Sequence, residues 1–330
     1  MIKWGILSSA NIAAKAIVPA LQKAENAELV AVASESGKAQ KTAEEWGAAK
    51  FYNSYLELLN DPDIDAVYIP LPNSLHKEWV IETAKHKKHV LVEKPAGITA
   101  EEVKEMIQGC EENNVFFMEA FMYQFHPQHD RVKEIMKSGE IGEIKLIRST
   151  FSFPIDLESN NIRLNAKLGG GSLFDVGCYC VHVSRLLLER EPEQVYLNSN
   201  VDPKLGVDLT STGVLHFGSV LATIDCSFEQ PRSNRYEVVG TKGSIEVPFA
   251  FRPDAKPDSS DGFLLIKNDH SEVVREERVE GDQYKIQMEH FSSCILEKKS
   301  PSYTGEQTYH NLKVIESLYA SMETNAPIKL

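Results

Sequence analysis

From Met1 to Glu119 the chain alternates short β-branched apolar runs with amphipathic stretches at close intervals, a rhythm that argues for a doubly wound parallel sheet. Trp4–Leu7, Glu28–Ala33, Ala66–Ile69, Val90–Val92 and Val115–Met118 read as strands. Ile12–Leu21, Ala39–Trp46, His76–Ala84 and Thr99–Asn113 read as the helices between them. In an open sheet of this kind ligands gather at the carboxyl ends of the strands, so chemistry is to be sought in the turns that follow them.

The first such turn places Ser8, Ala10 and Ala13 where a dinucleotide fingerprint has Gly-x-Gly-x-x-Gly/Ala. Small side chains there let backbone amides at the helix start, from Ala10 through Asn11 and Ile12, approach a pyrophosphate. A plain strand-to-helix turn is the alternative reading. After the second strand comes Ser34-Glu35-Ser36-Gly37-Lys38, where an adenosine ribose is usually read. Glu35 would accept bonds from both ribose hydroxyls, which leans toward NAD, whereas Ser34 and Lys38 suit the 2′-phosphate of NADP. A charged loop facing water remains open. The third turn, Pro70-Leu71-Pro72-Asn73-Ser74, leads into a helix with Ser74 as its expected cap. Pro70, Pro72 and Asn73 are expected against the cofactor's nicotinamide ribose, and His76 either joins them or serves as a capping or packing residue.

Val-Leu-Val-Glu-Lys-Pro, Val90 to Pro95, ends a buried apolar run in an acid, a base and a proline. Proline lacks a ladder donor and pushes the residue before it toward extended geometry, so Lys94 falls at the strand's carboxyl end with Glu93 beside it among the cofactor contacts. The other reading is a surface lysine at a strand end.

Beyond Phe121 the pattern changes, giving expected domains of 1–121 and 122–330. A helix from Phe125 to about Ser138 and a strand from Glu143 to Phe153 precede a long loop, Pro154 to Gly171, which is either a lid or an insert. Three glycines introduce the helix Ser172–Leu188. Gly171 suits a backbone that a ligand approaches closely, and Ser172 is the expected cap. Asp175, Tyr179 and His182 are spaced four and three apart, which puts them on one helical face as a functional cluster or a satisfied buried network. From Gln194 onward the period is two. Val207–Phe217, Val220–Phe228, Arg235–Val239, Ser244–Val247 and Phe263–Ile266 form a largely antiparallel sheet, with Pro253–Asp261 as an exposed turn. Gln283–Leu296 and Glu306–Ser321 close the chain as helices, the last of them a candidate to pack back on the first domain. One sheet face is covered by the Ser172 helix. The other needs a cover, and self-association into a homodimer or homotetramer is the natural one.

A net charge of −13 excludes nucleic acid or an anionic membrane as the main partner, and any phosphate must be held locally. Five scattered cysteines lack zinc-type spacing, so no metal is expected and the thiols read as reduced and buried. With no signal peptide and no membrane span, the expected location is cytoplasmic.

Together, Trp4-Gly5-Ile6-Leu7, Glu93-Lys94-Pro95, Met118-Glu119-Ala120-Phe121-Met122, Gly169-Gly170-Gly171-Ser172 with Asp175-Val176-Gly177-x-Tyr179, and Gly240-Thr241-Lys242-Gly243 carry a resemblance. The chain resembles the glucose-fructose oxidoreductase and inositol dehydrogenase family (Gfo/Idh/MocA) over essentially its whole length. The tyrosine at 179 is similar to the branch of sugar dehydrogenases and dimeric dihydrodiol dehydrogenase; Ser8 and Ala10 depart from the family's usual glycines. The resemblance implies an α/β fold, a Rossmann-type domain followed by an α+β domain with a large, mainly antiparallel open sheet. It also implies an NAD(P)-dependent dehydrogenase acting on a carbinol carbon of an aldose or cyclic polyol. Tyr179 would be the acid/base, Lys94 would favour its anion, and Asp175 would orient either. Tyr123, Arg163, Asn165 and His182 are the expected sugar contacts. Oxidation of a dihydrodiol or reduction of a dicarbonyl is a second reading. A nucleotide- and sugar-binding regulator without turnover is a third.

Overall fold

The computed structural model describes residues 1–256 and 259–330. They cluster into two units, Met1–Met122 with Tyr284–Tyr309, and Tyr123–Gln283 with His310–Leu330.

In the first unit the apolar runs lie side by side because each is buried on both faces. Along β4 (Ala66–Ile69) all four side chains are inaccessible, the continuous pattern of a strand covered above and below. With β1 (Ile2–Leu7), β2 (Ala27–Ala33), β3 (Lys50–Tyr52), β5 (His89–Val92) and β6 (Phe117–Glu119) it makes a wholly parallel sheet in the order β3-β2-β1-β4-β5-β6. The order reverses between β1 and β4, which opens a crevice at their carboxyl ends. Gly5 is a packing requirement: a Cβ there would stand 2.7 Å from Leu58. The strand Lys50–Tyr52 and the helix Tyr55–Leu59 carry no sequence signal, since β3 is a three-residue edge with Phe51 exposed. The helix Gln283–Glu297 returns the chain to this unit, where Ser292 accepts from the Trp4 indole at 3.1 Å and Phe291 lies against its ring.

The second unit holds nine strands: β7 (Ile144–Ser152), β8 (Gln194–Val201), β9 (Asp208–Phe217), β10 (Val220–Ser227), β11 (Ser233–Gly240), β12 (Gly243–Val247), β13 (Gly262–Asn268), β14 (Val273–Val279) and β15 (Ile328–Lys329). Their order is β14-β13-β12-β11-β7-β10-β9-β8-β15, antiparallel except for the central parallel pair β7 and β10. The β9–β10 hairpin turns on Gly218 at φ +66° and Ser219. The helix Cys178–Leu188 packs on β7 and β10. It is led in by Gly177, where a Cβ would be 2.8 Å from Cys226 Sγ.

The sheet's other face, which on the strand pattern needs a cover, carries charged side chains. A polar cavity of about 330 Å³ there is lined by residues that include Arg148, Glu237, Arg235, Glu246 and Asp225. Arg148 pairs with Glu237 at 2.6 Å, and Arg235 with Glu246 at 3.5 Å. The expected exposed turn at Pro253–Asp261 is anchored: Pro253 and Asp261 are buried, while Pro257 and Asp258 lie outside the described residues. Among the described residues no helix is long and apolar enough to cross a membrane.

Candidate active site

Three turns meet the carboxyl edge of the parallel sheet. After β1, Ser8 adopts φ +90°, the left-handed geometry that a fingerprint glycine would take without strain, and its hydroxyl donates to the Pro70 carbonyl at 3.4 Å. Its amide bonds to Ala33 O at 2.7 Å, so the first turn is tied to the strands on both sides. Ala10, Asn11 and Ile12 then open a helix, whose first amides have no acceptor within the helix and whose small residues leave room for an anion. The turn therefore fits a dinucleotide phosphate despite its missing glycines.

After β2, Ser34 is buried, with its hydroxyl 2.9 Å from that of Ser36, while Glu35 and Lys38 are exposed. Glu35 contributes to raising the Tyr55 phenol, behind the larger effect of burial. A carboxylate in water is not held to read ribose hydroxyls, so the lean toward NAD finds no support in the loop.

After β4, Pro70 is buried and Pro72 and Asn73 are half-buried at the edge. Ser74 lies inside a 3-10 turn, Asn73–Leu75, and the helix His76–Lys85 starts without a side-chain cap. His76 is fully buried. Its Nδ1 faces Pro95 O at 3.0 Å and its Nε2 faces Leu71 O at 2.8 Å. Burial, with a smaller push from the Lys94 charge, lowers its pKa to about 4. Both ring nitrogens face main-chain carbonyls, and the single N–H of the neutral ring donates to one of them, so His76 is buried in packing between two turns.

Lys94 follows β5, and the Lys94–Pro95 peptide is cis. Its amide donates to Glu93 Oε2 at 3.2 Å, and the Tyr68 hydroxyl donates to the other oxygen of Glu93. Next along the chain, Ala96 N donates to Glu119 Oε1 at 2.8 Å, and Tyr303 OH to Glu119 Oε2 at 3.1 Å.

In the second unit the loop before the glycines folds into two 3-10 turns, Ile162–Leu164 and Ala166–Leu168. Arg163 Nε donates to Asp175 Oδ2 at 2.6 Å, and its guanidinium lies 5.8 Å from the Phe153 ring. Asn165 Oδ1 accepts from Lys167 N and so caps the second of these turns. The cap expected of Ser172 comes from Asp208. Its carboxylate accepts from Leu173 N at 2.8 Å, Ser172 Oγ at 2.6 Å and Ser211 Oγ at 2.9 Å, with Tyr319 OH on its other oxygen. Gly171, at φ +119°, is required by the same group: a Cβ would stand 2.3 Å from Asp208 Oδ1. No motif flags Asp208, which lies at the start of β9, 35 residues from the helix it caps.

Asp175 lies within a π-helical turn, Leu173–Gly177, that precedes the α-helix carrying Tyr179 and His182. Their spacing is therefore not that of one regular helical face. The Tyr179 ring is buried among Tyr123, Phe151 and Phe251, with centroids 5.6, 5.2 and 5.4 Å away. Tyr123 and His182, both expected at the substrate, share a buried hydrogen bond of 2.5 Å, and burial drives the His182 pKa well down. They form a satisfied core pair beside the Tyr179 ring.

The NAD-binding Rossmann-fold model of an oxidoreductase family matches residues 2–121, and the GFO/IDH/MocA C-terminal domain matches 129–246. The chain is 37% identical to D-xylose 1-dehydrogenase (NADP(+)) 2 of Haloferax volcanii over 99% of each. It is 31% identical to trans-1,2-dihydrobenzene-1,2-diol dehydrogenase of Xenopus laevis over 91% of each. The crystal structure of KijD10, a 3-ketoreductase from Actinomadura kijaniata with NADP and TDP-benzene, superposes with a TM-score of 0.89, at 27% identity and 97% coverage of each.

Proposed function

Because the chain belongs to the GFO/IDH/MocA oxidoreductase family, we propose that it moves hydride between a nicotinamide cofactor and a carbinol carbon of an aldose or cyclic polyol. The observation that carries the reading is Lys94 at the carboxyl end of β5, on the edge where the β1 and β4 turns suit a dinucleotide. The bound nicotinamide supplies the hydride acceptor or donor. In oxidation the Tyr179 phenolate oxygen takes the substrate hydroxyl proton, and in reduction it returns it. The Lys94 ammonium favours the phenolate, and Asp175, paired with Arg163, orients the acid/base group. Pro70, Pro72, Asn73 and Glu93 belong to the cofactor side of this scheme and Arg163 to the sugar side.

NADP is the proposed cofactor, with Ser34, Ser36 and Lys38 receiving the 2′-phosphate; the xylose dehydrogenase relative carries NADP in its name. The five buried free cysteines fit a cytoplasmic, reducing location. Purified protein mixed with D-xylose, D-glucose or myo-inositol should reduce NADP+ faster than NAD+ at equal concentration, followed at the nicotinamide absorbance. Inertness toward every aldose and polyol in both directions would remove the sugar reading. The aromatic surround of Tyr179 favours trans-dihydrodiols as the second substrate class, and the same assay includes trans-1,2-dihydrobenzene-1,2-diol.

We also propose that the polar face of the nine-stranded sheet pairs two copies of the chain. Arg148, Arg235 and Lys267 alternate there with Glu237, Glu246 and Asp225, a self-complementary pattern under a two-fold axis. Sedimentation should show a dimer that Arg148→Glu weakens at low salt. A monomer at all concentrations contradicts this arrangement.

A further inference from the structure

We propose that Glu119 and His76 are positioning residues that aim Lys94 by gripping the peptide segment after it from two sides, a role that rests on the reading of Lys94 given above. Where the chain leaves β5, Pro95 has no N–H to offer, so the turn has few main-chain bonds with which to fix itself. Two of its remaining polar groups are held by buried side chains: Pro95 O faces His76 Nδ1 at 3.0 Å, and Ala96 N donates to Glu119 Oε1 at 2.8 Å. The two side chains are 0% and 2% exposed.

A carboxylate in such a place loses its hydration and is tolerated only where donors replace the water. Glu119 has one on each oxygen, Ala96 N and the Tyr303 hydroxyl. An apolar side chain would fill the same volume without that desolvation cost, so core filling does not account for it. His76, a neutral imidazole with one N–H, donates to Pro95 O in its Nδ1–H tautomer, with its Nε2 packed 2.8 Å from Leu71 O in the neighbouring turn. On the near side of Lys94, its own amide is bound to Glu93, which Tyr68 secures from β4. The main chain is thus held at residues 94, 95 and 96, which fixes the Cα from which the lysine side chain extends. An error of about 1 Å in such a group costs about 100-fold in rate.

The test uses the full chain with NADP+ and D-xylose, and the single variants Glu119→Ala, Glu119→Gln, His76→Asn and Lys94→Ala. Glu119→Ala and His76→Asn should lower kcat by about 10- to 100-fold with the KM for NADP+ changed by less than about threefold, and should shift the acidic limb of the kcat–pH profile upward, because a misplaced amine no longer favours the phenolate. Glu119→Gln keeps an acceptor for Ala96 N and should recover kcat to within about threefold of the parent. Adding Glu119→Ala to Lys94→Ala should cost nothing further, because both act through one amine. A readout free of turnover is the rate at which an acetic anhydride pulse labels Lys94, measured by mass spectrometry; Glu119→Ala should change it by about threefold or more and Glu119→Gln should restore it. A kcat per folded enzyme, pH profile and labelling rate all unmoved in Glu119→Ala and His76→Asn would overturn the proposal. Full turnover in Lys94→Ala would instead sink the role of Lys94, while the labelling rates still report whether the grip exists.

Discussion

Tyr179→Phe and Lys94→Ala are each expected to lower kcat/KM by about 10²- to 10⁴-fold, the range that a positioned acid/base group contributes. Each factor of ten is about 1.4 kcal/mol of transition-state stabilisation. The two losses should not add if, as proposed, the amine acts by favouring ionisation of the phenol; the double variant should then resemble the worse single one. Cofactor affinity, read as the NADP+-induced rise in melting temperature, should survive Tyr179→Phe, since that ring lies in the second unit among Tyr123, Phe151 and Phe251. Full activity in either single variant would refute the assignment. Collapse of the fold in Tyr179→Phe is not expected, because loss of one hydroxyl leaves the aromatic packing in place.

Acid should destabilise the protein earlier than carboxylate titration alone would. His76 in the first unit and His129 in the second are fully buried, and burial lowers their pKa values from 6.5 to about 4 and about 3. His129 is held between the Tyr236 hydroxyl at 2.9 Å and Ala250 O at 3.1 Å. Between the folded and unfolded values the unfolded chain binds more protons, so stability falls as pH drops below about 6.5 and continues to fall toward the folded values. At about 1.4 kcal/mol per pH unit for each group, the two histidines together remove about 5 kcal/mol between pH 7.5 and 4.5. That is comparable with the whole stability of many domains. Urea melts at the two pH values should show it, and His129→Gln should remove about 1.4 kcal/mol per pH unit from the slope below pH 6.5. Equal unfolding free energies at pH 7.5 and 4.5 would mean that neither imidazole is kept neutral by the fold.

How far the sequence could be read depended on whether a feature is local. Apolar runs of period one or two, small residues after β1, and Pro95 after Lys94 all act within a few residues, and each marks its place in the one-dimensional chain. The strand-helix rhythm and the ordered motifs were therefore enough for the doubly wound parallel sheet and for the edge where Lys94 emerges. The three-residue β3 and the two-residue β15 escaped because so short a run has no period to detect.

Partnership across distance was decided only by the tertiary structure. Which cap serves the Ser172 helix, why Gly171 must be glycine, and that Tyr123 and His182 satisfy each other all depend on groups 35 or more residues apart in sequence. A buried polar atom is stabilised by whichever donor or acceptor the fold delivers to it, and residue type alone does not say which that will be. Composition and spacing thus determined the elements and the edge of the sheet; packing decided which polar side chains were absorbed into the core and which remained for chemistry, because desolvation penalises a buried polar group that the fold leaves without a partner.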